Sequence, residues 1–313
     1  MNRPTLVFVD GELSTELSNS DLLPDEVLFR LERDRHVLYI PDHFQMHSPI
    51  HLKFLSENEN ENVVAHTIFL GENSHVVLMV EFAGHADAEN YAMNTSLECY
   101  LNKNARLDYY KLQNENGSAS HFSSILVEQR ESSSTNLFFA DCGSQKSHTD
   151  LRVKLSEPYA ACHLHGLYFL NQDNQQVENH IHIDHLAEHG TSSMLFKGVL
   201  DKKTRAVFNG KVHVHEKAQH TNAHQANHNL LLSANAEVNT QPQLEIYAED
   251  IKCSHGATVG QLDNDSLFYL RSRGIEKVEA LKLLTDAFVA DMLDKIQDNA
   301  IREYFLARVV QHA

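Results

Sequence analysis

Gln243-Leu244-Glu245-Ile246-Tyr247-Ala248-Glu249-Asp250-Ile251-Lys252-Cys253-Ser254-His255-Gly256-Ala257-Thr258-Val259-Gly260 runs into Gln261-Leu262-Asp263 and then a helical pattern. Leu244, Ile246 and Ala248 alternate with Glu245, Tyr247 and Glu249, the period of two that marks a strand with one dry face. Carried forward unbroken, that parity sets Lys252, Ser254 and Gly256 with the apolar residues and puts Cys253 and His255 together on the opposite face. Residues two apart on a strand are separated by about 7 Å, so the thiol and the imidazole share one patch. Two donors are too few for a closed structural zinc site, which takes four, and a metal here needs further ligands from another strand or another chain. The same spacing also suits a small buried Cys beside a hydrogen-bonded His.

Beyond this stretch the texture changes. Asp263 is placed to cap a helix over Asn264 to Arg273, and Gly274 to end it. Val278, Leu281, Leu284, Thr285, Phe288, Met292, Leu293 and Ile296 trace an apolar helical stripe, and Asn299 to Gln311 reads as a third helix. Residues 263–313 therefore form a small C-terminal helical domain, too small for a large core of its own. Its free surfaces must rest on the β region or on a partner.

Upstream, residues 63–262 read as strand after strand, joined by Asn, Gly, Ser and Asp turns with no helix between them. Small residues before the strands, at Ala105, Ser134, Ala161 and Ser192 and again at Ala206 and Ala236, recur at about 27 to 31 residues. A repeat of that length built from strands alone suits stacked coils, a parallel β-helix, while an antiparallel sandwich also yields many short strands. Residues 1–62 form a mixed N-terminal segment of strands and turns, in which Pro24 to Glu32 reads as a helical turn or two.

The chain has 313 residues and a formal net charge of −17, which argues against nucleic acid and anionic membrane as partners. Its four cysteines, Cys99, Cys142, Cys162 and Cys253, form no C-x-x-C pair, and no signal-like segment opens the sequence. That pattern reads as a cytoplasmic chain with free thiols. No run approaches 18 apolar residues, and there is no G-x-S-x-G, Walker A or H-E-x-x-H motif. Three H-x-H pairs, His163/His165, His180/His182 and His213/His215, stand among 22 histidines. H-x-H opens the metal site of many β-barrel enzymes, so a stand-alone metal-dependent enzyme is the alternative reading. No carboxylate follows three to five residues after His165 or His182, and alternation with Ile181, Ile183, Val212 and Val214 turns the last two pairs outward if the aliphatics face the core.

Lys252-Cys253-Ser254-His255-Gly256-Ala257-Thr258-Val259-Gly260, followed by Leu267-Phe268-Tyr269-Leu270-Arg271-Ser272-Arg273-Gly274-Ile275, resembles the signature of the SufB/SufD scaffold family of the SUF iron–sulfur cluster assembly machine, on its SufD side. Arg205 to Gly210, Gln225 to Leu232 and Thr240 to Ile246 fall in the family's order and spacing. The resemblance implies a right-handed parallel β-helix with a C-terminal helical domain, and a non-catalytic subunit rather than an enzyme. It further implies pairing with a SufB-type paralogue, docking of a SufC-type ABC ATPase, and a homodimer where the paralogue is absent. His255, with Cys253 beside it, would help hold a transient iron–sulfur cluster at the scaffold interface. Phe268, Tyr269, Leu270, Arg271, Arg273, Gly274 and Ile275 would dock the ATPase. Family members usually carry a helical domain before the β-helix, whereas this sequence starts almost at the β region. No cysteine falls between Cys162 and Cys253, which favours the SufD-type partner over the SufB-type sulfur acceptor.

Overall fold

The computed structural model describes residues 3–46, 48–58, 60–85 and 90–309. Positions 310 and 311, expected to end the third helix, lie outside them.

Two sheets face each other along the chain. The first contains β1 (Thr5–Val9), β2 (Glu12–Ser14), β5 (Ile50–Ser56), β7 (His75–Gly84), β9 (Arg106–Asn114), β11 (Ser134–Asp141), β13 (Ala161–Leu170), β15 (Thr191–Leu200), β17 (Thr221–Leu231) and β19 (Ile251–Gly260). The second contains β3 (Leu28–Glu32), β4 (Arg35–Ile40), β6 (Glu61–Leu70), β8 (Ala92–Leu101), β10 (Ser120–Gln129), β12 (Lys146–Leu155), β14 (Gln176–His185), β16 (Arg205–Val214) and β18 (Glu237–Ile246). From β4 onward successive strands alternate between the sheets, and each pairs in parallel with the strand two places on, giving a parallel β-solenoid of about seven turns. The antiparallel sandwich is thereby excluded. Among the described residues, antiparallel pairing is confined to the N-terminal β1–β2 and β3–β4 hairpins.

Of the small residues noted before the strands, Ser134 and Ala161 sit at equivalent places in successive coils, whereas Ser192 lies beside Cys162, Ala105 is one position out of register with Ser134, and Ala206 lies beside Val238, not Ala236. Corners are turned by single residues in the left-handed region, such as Asn73, Asn104, Ser132, Asn174, His189 and His220. Corner rings stack where coils repeat, Tyr159 on His189 and His189 on His220, each pair 4.7 Å apart. Inside, Phe8, Phe54 and Phe82 make a similar stack at 4.7 and 4.9 Å. The helical turns expected over Pro24 to Glu32 are replaced by β3, with only a short 3-10 turn at Ser20–Leu22. A two-residue turn with Arg33 at φ 55° folds β3 onto β4, and five paired positions outweigh the local helical preference.

Three helices follow the last coil: α1 (Asn264–Ser272), α2 (Lys277–Leu293) and α3 (Asn299–Val309). Asp263 caps α1 by accepting from the backbone N–H groups of Asp265 and Ser266, and Gly274 stands at φ 88° just past its end. Val289, Met292, Ile301 and Phe305 pack on the outer face of the first sheet against Met79, Tyr110, Phe138 and Phe169. Glu81 clamps α3 to the solenoid by accepting from Tyr304 at 2.7 Å and pairing with Arg308 at 3.3 Å. The helical end thus rests on the β region through α2 and α3, whereas α1 buries no residue.

Candidate functional site

The stretch from Gln243 to Gly260 is two strands in two sheets. Residues 247–250 turn a corner between β18 and β19, and Ala248 is buried there. The corner resets the alternation, so Cys253 packs toward the same interior as Leu244 and Val238, not on the face opposite Leu244 as the unbroken parity required. Cys253 and His255 do share a face, and it points into the solenoid. Register places Cys253 beside Ala223 and His255 beside Gln225, whose side chains are buried.

That interior is open at the C-terminal end. β18 and β19 each have a neighbour on one side only, so each sheet ends on a row of unpaired backbone donors and acceptors. His255 is therefore exposed although it occupies an inward column, and its Nδ1 lies 3.2 Å from the Pro242 carbonyl oxygen across the coil. Pro242 is tolerated because β18 is an edge strand. Cys253 is half-buried; burial pushes its thiol up, and a hydrogen bond from the Ala223 backbone partly opposes that shift. At neutral pH it is a thiol, and ligating a metal requires releasing its proton. Cys162 lies in the same column and is fully buried, with its thiol pushed up to about 11.

The residues of the Phe268 to Ile275 motif lie on and just after α1. Phe268 is 74% exposed and Tyr269 57%, with the Arg273 guanidinium 5.2 Å from the Tyr269 ring centre. Leu270 and Ile275 are half-buried, while Arg271 and Gly274 are exposed. A cleft of about 640 Å³ separates α1 and α2 from the last coils, lined by Leu267, Leu281, Leu231 and Phe169 among others.

The H-x-H pairs all face outward. His163 Nδ1 is 2.8 Å from Ser193 Oγ one coil on, and His224 with Ser254 repeats the contact at 2.7 Å along the same outer row. His165 faces the helical layer, where burial, with Lys295 and His163 adding to it, pushes its imidazole down to about 4. His180, His182 and His213 lie on the outer face of the second sheet.

A coil ladder ending in a C-x-H pair, with a capped helix after it, can be set against known proteins. Residues 54–288 match the family described as the SUF system FeS cluster assembly, SufBD core domain. The chain belongs to that family. It is 32% identical to an iron–sulfur cluster assembly SufBD family protein of Synechocystis, covering 93% of this chain and 74% of that one. It is 31% identical to the iron–sulfur cluster assembly protein SufD of Escherichia coli, with 82% and 60% covered, and 30% identical to the chloroplastic protein ABCI7 of Arabidopsis thaliana, with 86% and 58% covered. The chain thus spans about three-fifths of the length of those last two relatives. Family membership assigns it a role in iron–sulfur cluster assembly. Among the described residues, no helix is long and apolar enough to cross a membrane.

Proposed function

We propose that this chain is a non-catalytic, cytoplasmic scaffold subunit whose last coil pairs with a SufB-type paralogue and whose helical end docks a SufC-type ABC ATPase. The nascent iron–sulfur cluster is cargo held between the two scaffolds. The observation that carries this reading is the open end of the solenoid, where an inward column delivers His255 and Cys253 to a surface bounded by two unpaired strands. A second solenoid laid edge to edge satisfies the free backbone groups of β18 and β19 and covers Val259 and Ile246, both exposed in the single chain. It also brings the donors that two side chains alone do not supply. Where no paralogue is present, a second copy of this chain meets the same edges.

Imidazole holds iron less tightly than thiolate, which suits cargo that has to leave. The apolar surface of α1 around Phe268 and Tyr269 is the docking face for the ATPase, continued by Leu270, Arg271, Arg273, Gly274 and Ile275. ATP-driven approach of two ATPase subunits then pulls on the helical end and opens the scaffold interface. In this division residues 1–62 lead in, 63–262 form the core, and 263–313 transmit the movement. Anaerobic co-purification of the three components, followed by visible absorption of the assembled cluster, tests it. Loss of the cluster with His255→Ala, and loss of the ATPase with Phe268→Asp, are the expected results. Unchanged cluster assembly after His255→Ala would remove His255 from the mechanism.

A further inference from the structure

We infer that His182, Asp184 and His213, on the outer face of the second sheet, form a binding site for a divalent first-row transition cation. β14 and β16 pair so that Asp184 lies beside His213, and His182 precedes Asp184 by two residues on the same face. Asp184 Oδ1 lies 3.2 Å from His182 Nε2 and 3.4 Å from His213 Nδ1, and the three donor atoms all fall within 4.8 Å of one another. A tetrahedral ion with bonds of about 2.0–2.1 Å holds its ligand atoms about 3.3 Å apart. Both distances from Asp184 Oδ1 therefore already match an edge of such a site, and the two imidazole nitrogens lie within 4.8 Å of each other.

Two further features separate this cluster from an ordinary surface ion pair. The Asp184 side chain is only 2% exposed, yet among the described residues neither its Oδ1 nor His182 Nε2 has a hydrogen-bond partner in acceptable geometry; Oδ1 has only the imidazole nitrogens beside it. Buried polar atoms normally find partners, and these two stand 3.2 Å apart, the separation of two adjacent corners of a tetrahedral site. The other carboxylate oxygen, Oδ2, accepts from Arg152 Nε at 2.9 Å and pairs with Nη2 at 2.8 Å, which fixes the carboxylate as an outer-shell partner does at metal centres. His215 Nε2, 3.6 Å from Oδ1, is a further donor within reach of the site.

The donor set selects the ion. Arg152 offsets the charge of Asp184, so binding rests on the imidazoles; magnesium and calcium, which want oxygen, are disfavoured, while zinc, cobalt and ferrous iron suit two imidazoles and a carboxylate. A looser group on the same face, His148, Glu178 and His180, has His148 Nδ1 3.5 Å from Glu178 Oε2, with both side chains more than a third exposed. It supplies the control.

The site is distinct from the open end of the solenoid, so it is tested on the full chain carrying Cys253→Ser and His255→Ala. After chelator treatment that chain is titrated with Co²⁺, followed by visible d–d absorption, and with Zn²⁺ by calorimetry. The expected result is one equivalent of either ion. His182→Ala and His213→Ala each weaken binding by at least the roughly 10–100-fold that an outer-shell partner alone is worth, and His148→Ala leaves it unchanged. His213→Gln, close in size, repeats the measurement should the Ala variant unfold. Absence of stoichiometric Co²⁺ binding, persistence of binding in both His variants, or its loss with His148→Ala instead, overturns the assignment.

Discussion

One inward column runs through Leu164, Met194, Gln225 and His255, and the column beside it through Cys162, Ser192, Ala223 and Cys253. In the middle coils both columns are sealed; in the last coil the same positions meet solvent. Burial in a solenoid therefore depends on having a coil above and below, and strand parity alone does not provide it. The chain anticipates its own end. Apolar Leu164 and Met194 give way to Gln225 one coil before His255, and Phe196 gives way to Asn227 in the next column. A terminal coil must either be polar or be covered by a partner. This one presents a polar column rimmed by exposed Val259 and Ile246.

The largest expected contrast is in thiol reactivity. A disulfide reagent should modify Cys253 in the folded chain orders of magnitude faster than Cys99, Cys142 and Cys162, which are fully buried, with thiols pushed up by burial. Equal rates for all four would show that the middle coils are not sealed. Next come truncations within one column. Leu164→Ala should destabilise the fold by about 2–5 kcal/mol through a core cavity. His255→Ala, which removes one exposed side chain and a single hydrogen bond, should cost less than about 1 kcal/mol in a thermal or urea melt. Comparable losses would erase the distinction between middle and end.

Acid provides a third test. His165 and His185 are pushed down to about 4 and His66 to about 3, in each case mainly by burial, against an ordinary value of 6.5. The unfolded chain takes up these protons first. Stability is therefore complete above pH 6.5 and is lost as pH falls from there toward 4. Hydrogen exchange in β13 and β14 should accelerate over that window, and His185→Asn should flatten the dependence. The smallest effect concerns α1: Asp263→Ala removes the cap and should be read as faster exchange in α1 with the solenoid unchanged.

Much of the fold was legible because a solenoid repeats its local rules. Spacing near 29 residues and polar turns each recur once per coil, so they were visible without knowing which coil touched which. The caps at Asp263 and Gly274 were equally local. The error over Cys253 came from a four-residue corner that looks like more strand, since Ile246, Ala248 and Ile251 keep an apolar texture through it. Pro24 to Glu32 misled for the opposite reason: its helical texture is overridden by pairing to β4. The cluster at Asp184 was missed because its carboxylate lies two residues from His182, while its second imidazole comes from the next coil.

By itself the sequence determined a long run of short repeating strands, a helical end with its caps, and a Cys and a His two residues apart on one face, because periodicity and capping are properties of neighbours along the chain; that the strands coil in parallel was decided by their register. Only the tertiary structure decided that this face looks into the solenoid, that His255 is nonetheless exposed, and that His182, Asp184 and His213 converge. Those facts depend on the register between coils and on where the stack of coils ends. Neither is encoded in any single stretch of residues.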